Sequence, residues 1–249
     1  SDARGGQILA DITKDRKIGS VAVTYTNNDY GKGLADVYAA AAKAHGIDVT
    51  IVAAHEDGKA DYSAEVATLA SAGGDAIAVI GYLDQGGKGI IQGALDSGAF
   101  DTFILSDGMI GDSLTDAFGK SLNKSFGSLP GSTGKGAGVF ATVAGDAGID
   151  PSGPYTGESY DAAALIVLAM QASGSADRKG IADNVMAVAN APGKKIYPGQ
   201  LKKALDLLAK GKAVDYEGAT GVMFTEVGEA EGSFLEKEVK GGKFKTKKQ

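Results

Sequence analysis

The chain contains no cysteine and only two histidines among its 249 residues. The missing thiols exclude zinc–thiolate centres, iron–sulfur clusters and cysteine nucleophiles. His45 precedes a glycine that ends a predicted helix, where an imidazole faces the helix dipole. His55 is predicted to lie in a solvated loop. Because neither position suits a catalytic or metal-binding imidazole, we expect no catalytic residue, no metal and no cofactor.

Long apolar runs and a basic charge balance are also lacking. No apolar run approaches the roughly 18 residues that a membrane-spanning helix needs. The net charge of −6 argues against nucleic acid as a partner. Lysines recur in the tail from Lys237 to Gln249, which is interpreted as a solvated end. The opening residues have neither the basic nor the apolar region of a signal peptide, which indicates a cytosolic protein or a processed one.

The motifs of phosphate-binding and hydrolytic enzymes fail at specific positions. Gly134-Lys135 is not a Walker A motif, because Leu129 stands where the first glycine belongs. A dinucleotide-binding motif fails at Gly87-Lys88-Gly89, because Gln92 takes the position of the last glycine. No G-x-S-x-G elbow is present either. The sequence therefore suits a protein that holds a small polar molecule better than one that transforms it.

Strands and helices alternate at intervals of about 25 residues in the first half of the chain. The predicted strands are 17–25, 48–53, 75–81 and 102–105, and the predicted helices run to about residue 14 and over 31–45, 61–72 and 88–97. Such alternation predicts right-handed crossovers and a parallel sheet. The fold class is therefore α/β.

The second half is predicted to contain mostly helices. Residues 120–138, rich in Gly, Ser and Lys, are interpreted as a connection. Helices are predicted over 157–172, 177–189 and 199–210, with short strands at 222–224 and 234–239. Helices of an α/β lobe need a sheet to cover. The shortage of strands leads us to expect that residues outside this chain supply that sheet.

Polar and aromatic residues follow three of the predicted strands. They lie in the segments Asn28–Gly31, Gly81–Tyr82 and Ser106–Gly108. Each has an ordinary structural explanation, such as helix-start packing for Tyr30 or a turn for Asp107. Ends of parallel strands share one edge of a sheet, however, so two phenol rings and a carboxylate should surround one crevice. This set suits a ligand with an ammonium group and an apolar body.

The chain resembles the periplasmic substrate-binding proteins of ABC importers, of the leucine/isoleucine/valine-binding type. The matching segments are 28–36, 61–69, 81–87, 150–155, 158–165 and 216–224. The resemblance implies a two-lobed type I periplasmic-binding-protein fold, with parallel sheets flanked by helices. It also implies the ligand-binding residues, which are Tyr30, Tyr82, Asp107 and Gly108 in one lobe and Glu158 in the other.

The resemblance further implies how the lobes divide and what they do. Lobe two should comprise residues 1–128 and 237–249, and residues 129–236 should form a partial lobe one that lacks its N-terminal half. The expected function is capture of a branched-chain or related aliphatic amino acid in the periplasm by a monomer, and its delivery to membrane permease subunits. Without the missing half, this chain should bind ligand weakly. A ligand-sensing domain of a receptor or regulator, or an α/β enzyme on a small polar substrate, is the alternative.

Overall fold

The protein consists of two compact units. The structure is a computed structural model that describes residues 2–132 and 134–247. One unit, called the sheet unit, contains residues 2–129 and 234–247. The other, called the helical unit, contains the described residues from 130 to 233. That these units correspond to the two lobes expected from the sequence stays a prediction.

A seven-stranded sheet forms the centre of the sheet unit. Its strands, numbered along the whole chain, are β1 (Ser20–Thr26), β2 (Asp48–His55), β3 (Ala76–Ile80), β4 (Phe103–Leu105), β5 (Phe126–Pro130), β10 (Phe234–Lys240) and β11 (Lys243–Thr246). The order across the sheet is β11-β10-β5-β4-β3-β1-β2. The contiguous run from β5 to β2 is parallel, whereas β10 and β11 form an antiparallel hairpin.

Helices cover both faces of this sheet. They are α1 (Asp2–Asp15), α2 (Asp29–Ala44), α3 (Ser63–Ala72), α4 (Lys88–Ser97) and α5 (Asp112–Phe118). Because side chains alternate along a strand, Ile77 and Val79 of β3 pack with α3 and α4, while Ala76, Ala78 and Ile80 pack with α1 and α2. Every residue of β3 is buried, as expected for a central strand of a parallel sheet.

The helical unit has little sheet of its own. Its helices are α6 (Lys135–Asp146), α7 (Thr156–Ser173), α8 (Arg178–Ala189) and α9 (Leu201–Leu208). Two small sheets accompany them, a parallel pair of β6 (Lys194–Ile196) with β7 (Val214–Tyr216) and an antiparallel pair of β8 (Met223–Phe224) with β9 (Ala230–Glu231). The sequence does not indicate β6, β7 or β9, because strands of two or three residues are too short to show alternation.

The interpretation of residues 120–138 as a connection is wrong. This segment contains β5, which lies inside the seven-stranded sheet, and the start of α6. The glycine that makes the segment look like a loop has a packing role. A Cβ on Gly127 would lie 2.2 Å from the carbonyl oxygen of Leu105 on the neighbouring strand. Gly127 is therefore needed for close strand contact. Helix α5, just before this segment, is likewise not indicated by the sequence.

Two smaller predictions also change. His55 is the last residue of β2 and is only 1 % exposed, so its assignment to a solvated loop is wrong. Residues 82–87, interpreted as a loop, contain a π-helical turn (Leu83–Gly87) that leads directly into α4. His45 is the C-cap residue directly after Ala44, within one residue of the predicted helix end. In the sequence, Ser1 and Asp2 can cap the first helix, but Ser1 lies outside the described residues.

Candidate ligand-binding site

The carboxyl ends of β1, β3 and β4 bring four of the predicted site residues together in the sheet unit. Tyr30 enters from the first turn of α2, which begins right after β1. The side chain of Asn28 caps this helix by accepting a 2.8 Å hydrogen bond from the amide of Gly31. A Cβ on Gly31 would lie 2.1 Å from the carbonyl oxygen of Thr26, so only glycine allows this tight strand-to-helix turn. The turn fixes where Tyr30 stands.

Hydrogen bonds link the three strand ends. The hydroxyl of Tyr30 donates to Oδ1 of Asp107 at 2.6 Å and lies 3.1 Å from Oγ of Ser106. The amide of Gly81, just after β3, donates to the same Ser106 oxygen at 3.2 Å. Ser106 is 1 % exposed. A buried serine thus connects the residues that follow β1, β3 and β4.

The aromatic rings of the site are in contact. Tyr82 stacks on Tyr30 with a centroid separation of 5.2 Å and an interplanar angle of 27°. Gly108 lies beside both rings, because a Cβ there would stand 3.3 Å from the Tyr30 hydroxyl and 3.3 Å from Cδ1 of Tyr82. The same Cβ would lie 2.4 Å from the carbonyl oxygen of Gly81. Only glycine therefore fits at position 108.

Tyr82 is carried by the π-helical turn. Its carbonyl oxygen accepts a 3.0 Å hydrogen bond from the amide of Gly87, which closes the turn. A Cβ on Gly87 would lie 2.1 Å from the sulfur of Met109, in the short 3-10 turn (Asp107–Met109) that also holds Asp107 and Gly108. The two turns thus pack against each other and set Tyr82 beside Asp107.

Burial and charge around Tyr30 favour a phenol that holds the carboxylate of Asp107 in one position. Burial raises the pKa of Tyr30, and the charge of Asp107 and the hydrogen bond to it raise this pKa further. The phenol therefore stays protonated at neutral pH and donates to Asp107. An anchored carboxylate beside two stacked phenol rings has the charge and the π faces that bind a cationic group.

Glu158 lies in the helical unit, in the first turn of α7. It is half-buried, and burial raises its pKa, with the charge of Asp161 as a further cause. Asp161 itself is 2 % exposed and accepts hydrogen bonds from the Tyr216 hydroxyl and from the amides of Ala219 and Thr220. Sequence reasoning assigned Asp161 no role, although it lies in one matching segment and its three partners lie in another.

A separate cavity lies away from these residues. It has a volume of about 250 Å³ and is lined by Thr24, Ala53, Ala54, Ala64, Glu65, Thr68 and Leu69. These residues belong to β1, β2 and α3, on the side of the sheet covered by α3. None of the predicted site residues Tyr30, Tyr82, Asp107 and Gly108 lines this cavity.

The described residues hold no group of three or more His, Cys, Asp or Glu side chains arranged to bind a metal ion. Within the same part of the chain, no helix combines the length and the apolarity required to cross a membrane.

Comparison with known proteins identifies the family. A model described as periplasmic binding protein matches residues 2–231. The chain belongs to the periplasmic binding protein family. The resemblance noted from short segments is therefore confirmed over most of the chain.

Relatives and solved structures agree with this membership. A Leu/Ile/Val-binding protein homolog of Brucella melitensis is 31 % identical over 180 residues, which are 71 % of this chain and 47 % of the relative. The leucine-binding protein LivK of Thermotoga maritima has a TM-score of 0.75 and 21 % identity, over 99 % of this chain and 65 % of its own. LivJ of Streptococcus pneumoniae, a branched-chain amino acid transporter substrate-binding protein solved with isoleucine, has a TM-score of 0.73 and 18 % identity, over 98 % and 64 %.

These comparisons confirm the predicted α/β fold, a mostly parallel sheet flanked by helices. The family and these relatives are binding proteins, so the alternative of an α/β enzyme is set aside. The chain spans about half of the length of the Brucella relative and about two thirds of the two solved chains.

Proposed function

We propose that this chain is part of an exported solute-binding protein that captures a branched-chain or related aliphatic amino acid and delivers it to the permease subunits of an ABC importer. The observation that carries the proposal is the convergence of Tyr30, Tyr82 and Asp107 at one edge of the sheet. The names of the Brucella, Thermotoga and Streptococcus proteins support the choice of ligand class. Membership of the periplasmic binding protein family supports the periplasm as the location.

The site residues have distinct proposed roles. The carboxylate of Asp107 pairs with the α-ammonium group of the amino acid, an interaction worth roughly 1.5–3 kcal/mol in a site closed to water. Tyr30 holds that carboxylate in place through its 2.6 Å hydrogen bond. Tyr82 offers the face of its ring to the ammonium or to the aliphatic chain. Gly108 leaves the space that a side chain would fill.

The proposed ligand contact from the helical unit is Glu158, which burial keeps partly desolvated. A desolvated carboxyl group pairs more strongly with a donor than an exposed one does.

The helical unit is proposed to be incomplete. A parallel pair of strands is normally part of a larger sheet buried on both faces, yet β6 and β7 form a sheet of two. Helix α7 exposes 46 % of Ile166 and 42 % of Val167. We infer that strands from outside this chain complete the unit and carry the groups that hold the ligand carboxylate. This chain alone should therefore bind an amino acid weakly. We also propose that it acts as a monomer and without a cofactor.

A titration followed by NMR tests the proposed function. L-leucine should cause saturable shifts in the signals of Tyr30, Tyr82 and Gly108. Because the sheet unit is proposed to recognise the ammonium group, 3-methylbutylamine should shift the same signals, and 4-methylpentanoate, which lacks that group, should not. Shifts caused by 4-methylpentanoate but not by the amine would contradict the assignment. Sub-micromolar binding of L-leucine by calorimetry would contradict the proposal that binding groups are missing.

The alternative of a ligand-sensing domain shares this site and differs only in its partner. Loss of amino-acid uptake by cells that lack the full-length protein would support delivery to an importer, and normal uptake would favour sensing.

A further inference from the structure

A buried imidazole lies directly behind the segment that carries Tyr82. His55 is 1 % exposed at the end of β2. Its Nδ1 lies 2.9 Å from Oγ1 of Thr24 on the adjacent strand β1. Its Nε2 is buried and has no hydrogen-bond partner among the described residues. A neutral imidazole thus occupies a closed site with one nitrogen paired and one unpaired.

The ring contacts the backbone on both sides of Tyr82. A Cβ on Gly81 would lie 3.3 Å from Nε2 of His55, and a Cβ on Gly86 would lie 3.2 Å from its Cδ2. Gly81 immediately precedes Tyr82, and Gly86 lies within the π-helical turn. Because glycine carries no side chain, the ring lies close to the backbone at both positions, and this backbone holds Tyr82.

The loop after β2 holds the same turn from a second side. The amide of Gly58 donates a 2.6 Å hydrogen bond to the carbonyl oxygen of Gln85. The hydroxyl of Tyr62 lies 3.1 Å from that oxygen and 2.9 Å from the carbonyl oxygen of Glu56. The ring of Tyr62 meets the ring of His55 edge to face, with centroids 6.2 Å apart. His55 and the loop therefore form one packed support for residues 82–87.

Three carboxylates, those of Asp57, Glu65 and Glu56, influence the charge state of the imidazole. Asp57 Oδ2 accepts a 2.6 Å hydrogen bond from Thr26, whereas its buried Oδ1 has no partner among the described residues. Glu65 of α3 likewise has one buried oxygen without a described partner. Burial lowers the pKa of His55, and the charges of Asp57, Glu65 and Glu56 oppose this effect.

The cation nearest to these groups in the described contacts is Lys59. Its Nζ pairs with Oε1 of Glu65 and lies 5.7 Å from the centre of the Tyr62 ring. Lys59 therefore pairs with one of the three carboxylates, and burial is the largest influence on the pKa of His55.

We propose that His55 is a positioning residue for Tyr82, and that protonation of its imidazole loosens the turn over residues 82–87 and weakens ligand binding at acid pH. The first part stands on the contacts of His55 alone. The second part rests on the proposed function, because it requires Tyr82 to contact the ligand.

Protonation changes the hydrogen-bond partners that the imidazole ring of His55 requires. An imidazolium donates at both nitrogens, so Nδ1 can bond to Thr24 while a charged N–H at Nε2 has no described acceptor. A buried, unpaired charged donor is costly. The acceptors without described partners belong to Asp57 and Glu65. A ring that moves towards either of them leaves its present position, in which Nε2 lies beside Gly81.

The direction of the pH effect follows from the lowered pKa of His55. A group whose pKa is lower in the folded protein contributes stability above its unfolded pKa of about 6.5, and that stability is lost as the pH falls through the folded value. The turn should therefore be firm at neutral pH and loosen in mildly acid solution.

Two NMR measurements on the whole chain test the proposal. The ring signals of His55 should titrate below a pH of about 6.5. Hydrogen-exchange protection of the amides of Gly58 and Gly87 should fall roughly tenfold between about pH 7.5 and about pH 5, in step with the His55 signals. Protection factors, rather than rates, remove the intrinsic effect of pH on exchange.

Matched variants separate the roles of the two histidines. His55→Asn keeps a polar atom for Thr24 but cannot titrate, so its protection factors should be the same at both pH values. His45→Asn should behave like the unaltered chain. If His55→Asn does not fold, the titration of the unaltered chain and of His45→Asn still decides the outcome. Protection that stays constant while His55 titrates, or a His55 that stays neutral down to about pH 4.5, would overturn the proposal.

Ligand binding is a separate readout. The apparent affinity for L-leucine, measured from the Tyr30 signals, should fall roughly in proportion to the loss of protection. If the turn loosens but L-leucine binds at no pH, the proposed function fails while the role of His55 as a positioning residue remains.

Discussion

The hydroxyl of Tyr30 donates a 2.6 Å hydrogen bond to the carboxylate of Asp107, although 77 positions separate them in the sequence. The bond joins the end of β1 to the end of β4, which are separated in the sheet by β3. The pair places a negative charge and an aromatic face at one point on the sheet edge. Three predictions concern this pair and the structure around it, and a fourth concerns Asp161 of the helical unit.

The substitution Asp107→Asn removes the charge but keeps an oxygen that can accept from Tyr30. Because a charge-assisted pair is worth roughly 1.5–3 kcal/mol, the affinity for L-leucine should fall about tenfold to 150-fold. The NMR titration described above measures this change. Asp96→Asn, an exposed site on α4, removes the same charge and should leave the affinity unchanged. Equal affinities for both variants would show that Asp107 does not bind the ammonium group.

The substitution Gly108→Ala adds a methyl group where the carbonyl oxygen of Gly81 would be 2.4 Å away. The backbone of one of the two turns must shift, which should cost about 1–3 kcal/mol of stability and weaken ligand binding. Urea denaturation and the leucine titration measure these effects. The control is Gly33→Ala in α2, where a Cβ would meet nothing within 4 Å. That change should stabilise the protein by about 0.5–1 kcal/mol.

The raised pKa of Tyr30 predicts a loss of stability in alkaline solution. A tyrosine whose pKa is raised by folding contributes stability below its unfolded pKa of about 10, and loses it as the pH rises further. Removing this titration by Tyr30→Phe should reduce the slope of stability against pH above about pH 10 by about 1.4 kcal/mol per pH unit. Denaturation curves at several alkaline pH values provide the slopes. An unchanged slope would mean that Tyr30 ionises in the folded protein as easily as in the unfolded chain.

Asp161 is expected to hold the loop that follows β7. Its carboxylate accepts from the amides of Ala219 and Thr220 at 2.8 Å each and from the Tyr216 hydroxyl at 2.9 Å. Asp161→Asn places an N–H₂ group against the donors of one of the two oxygens, either Tyr216 and Ala219 or Thr220, which should destabilise the loop by about 1–3 kcal/mol. Hydrogen exchange of the Ala219 and Thr220 amides measures this loss directly. Asp183→Asn, which removes an exposed ion pair with Lys179 on α8, should have little effect.

The edge of the sheet where the predicted site lies could be inferred from the sequence, because strands that alternate with helices run parallel and finish at the same edge. Tyr30, Tyr82, Asp107 and Gly108 each follow a strand within a few residues. Their role in ligand binding stays a prediction. Glu158 follows no strand closely, and only the resemblance to a family pointed to it.

Buried polar residues could not be found in the same way. The pattern V-T-I-V-A-A-H does not show where β2 ends, so His55 looks like the first residue of a loop. Its burial depends on Tyr62 and on Gly81 and Gly86, which come from other parts of the chain. The burial of Asp161 could not be inferred from the sequence either, since its hydrogen-bond partners lie more than 50 residues away. Strand β5 was not predicted, because Gly127 makes the segment look like a loop. This glycine is needed for close contact with the neighbouring strand β4.

The sequence by itself determined the α/β class, the parallel sheet and the edge on which polar residues gather. These features follow from the local period of apolar residues and from the handedness of the chain, both of which act over a few tens of residues. Only the tertiary structure decided that Tyr30 bonds to Asp107, that His55 is buried behind Tyr82, and that Gly108 must lack a side chain. Those facts depend on contacts between residues that are far apart in the chain. Such residues come together only after the strands have paired and the helices have packed.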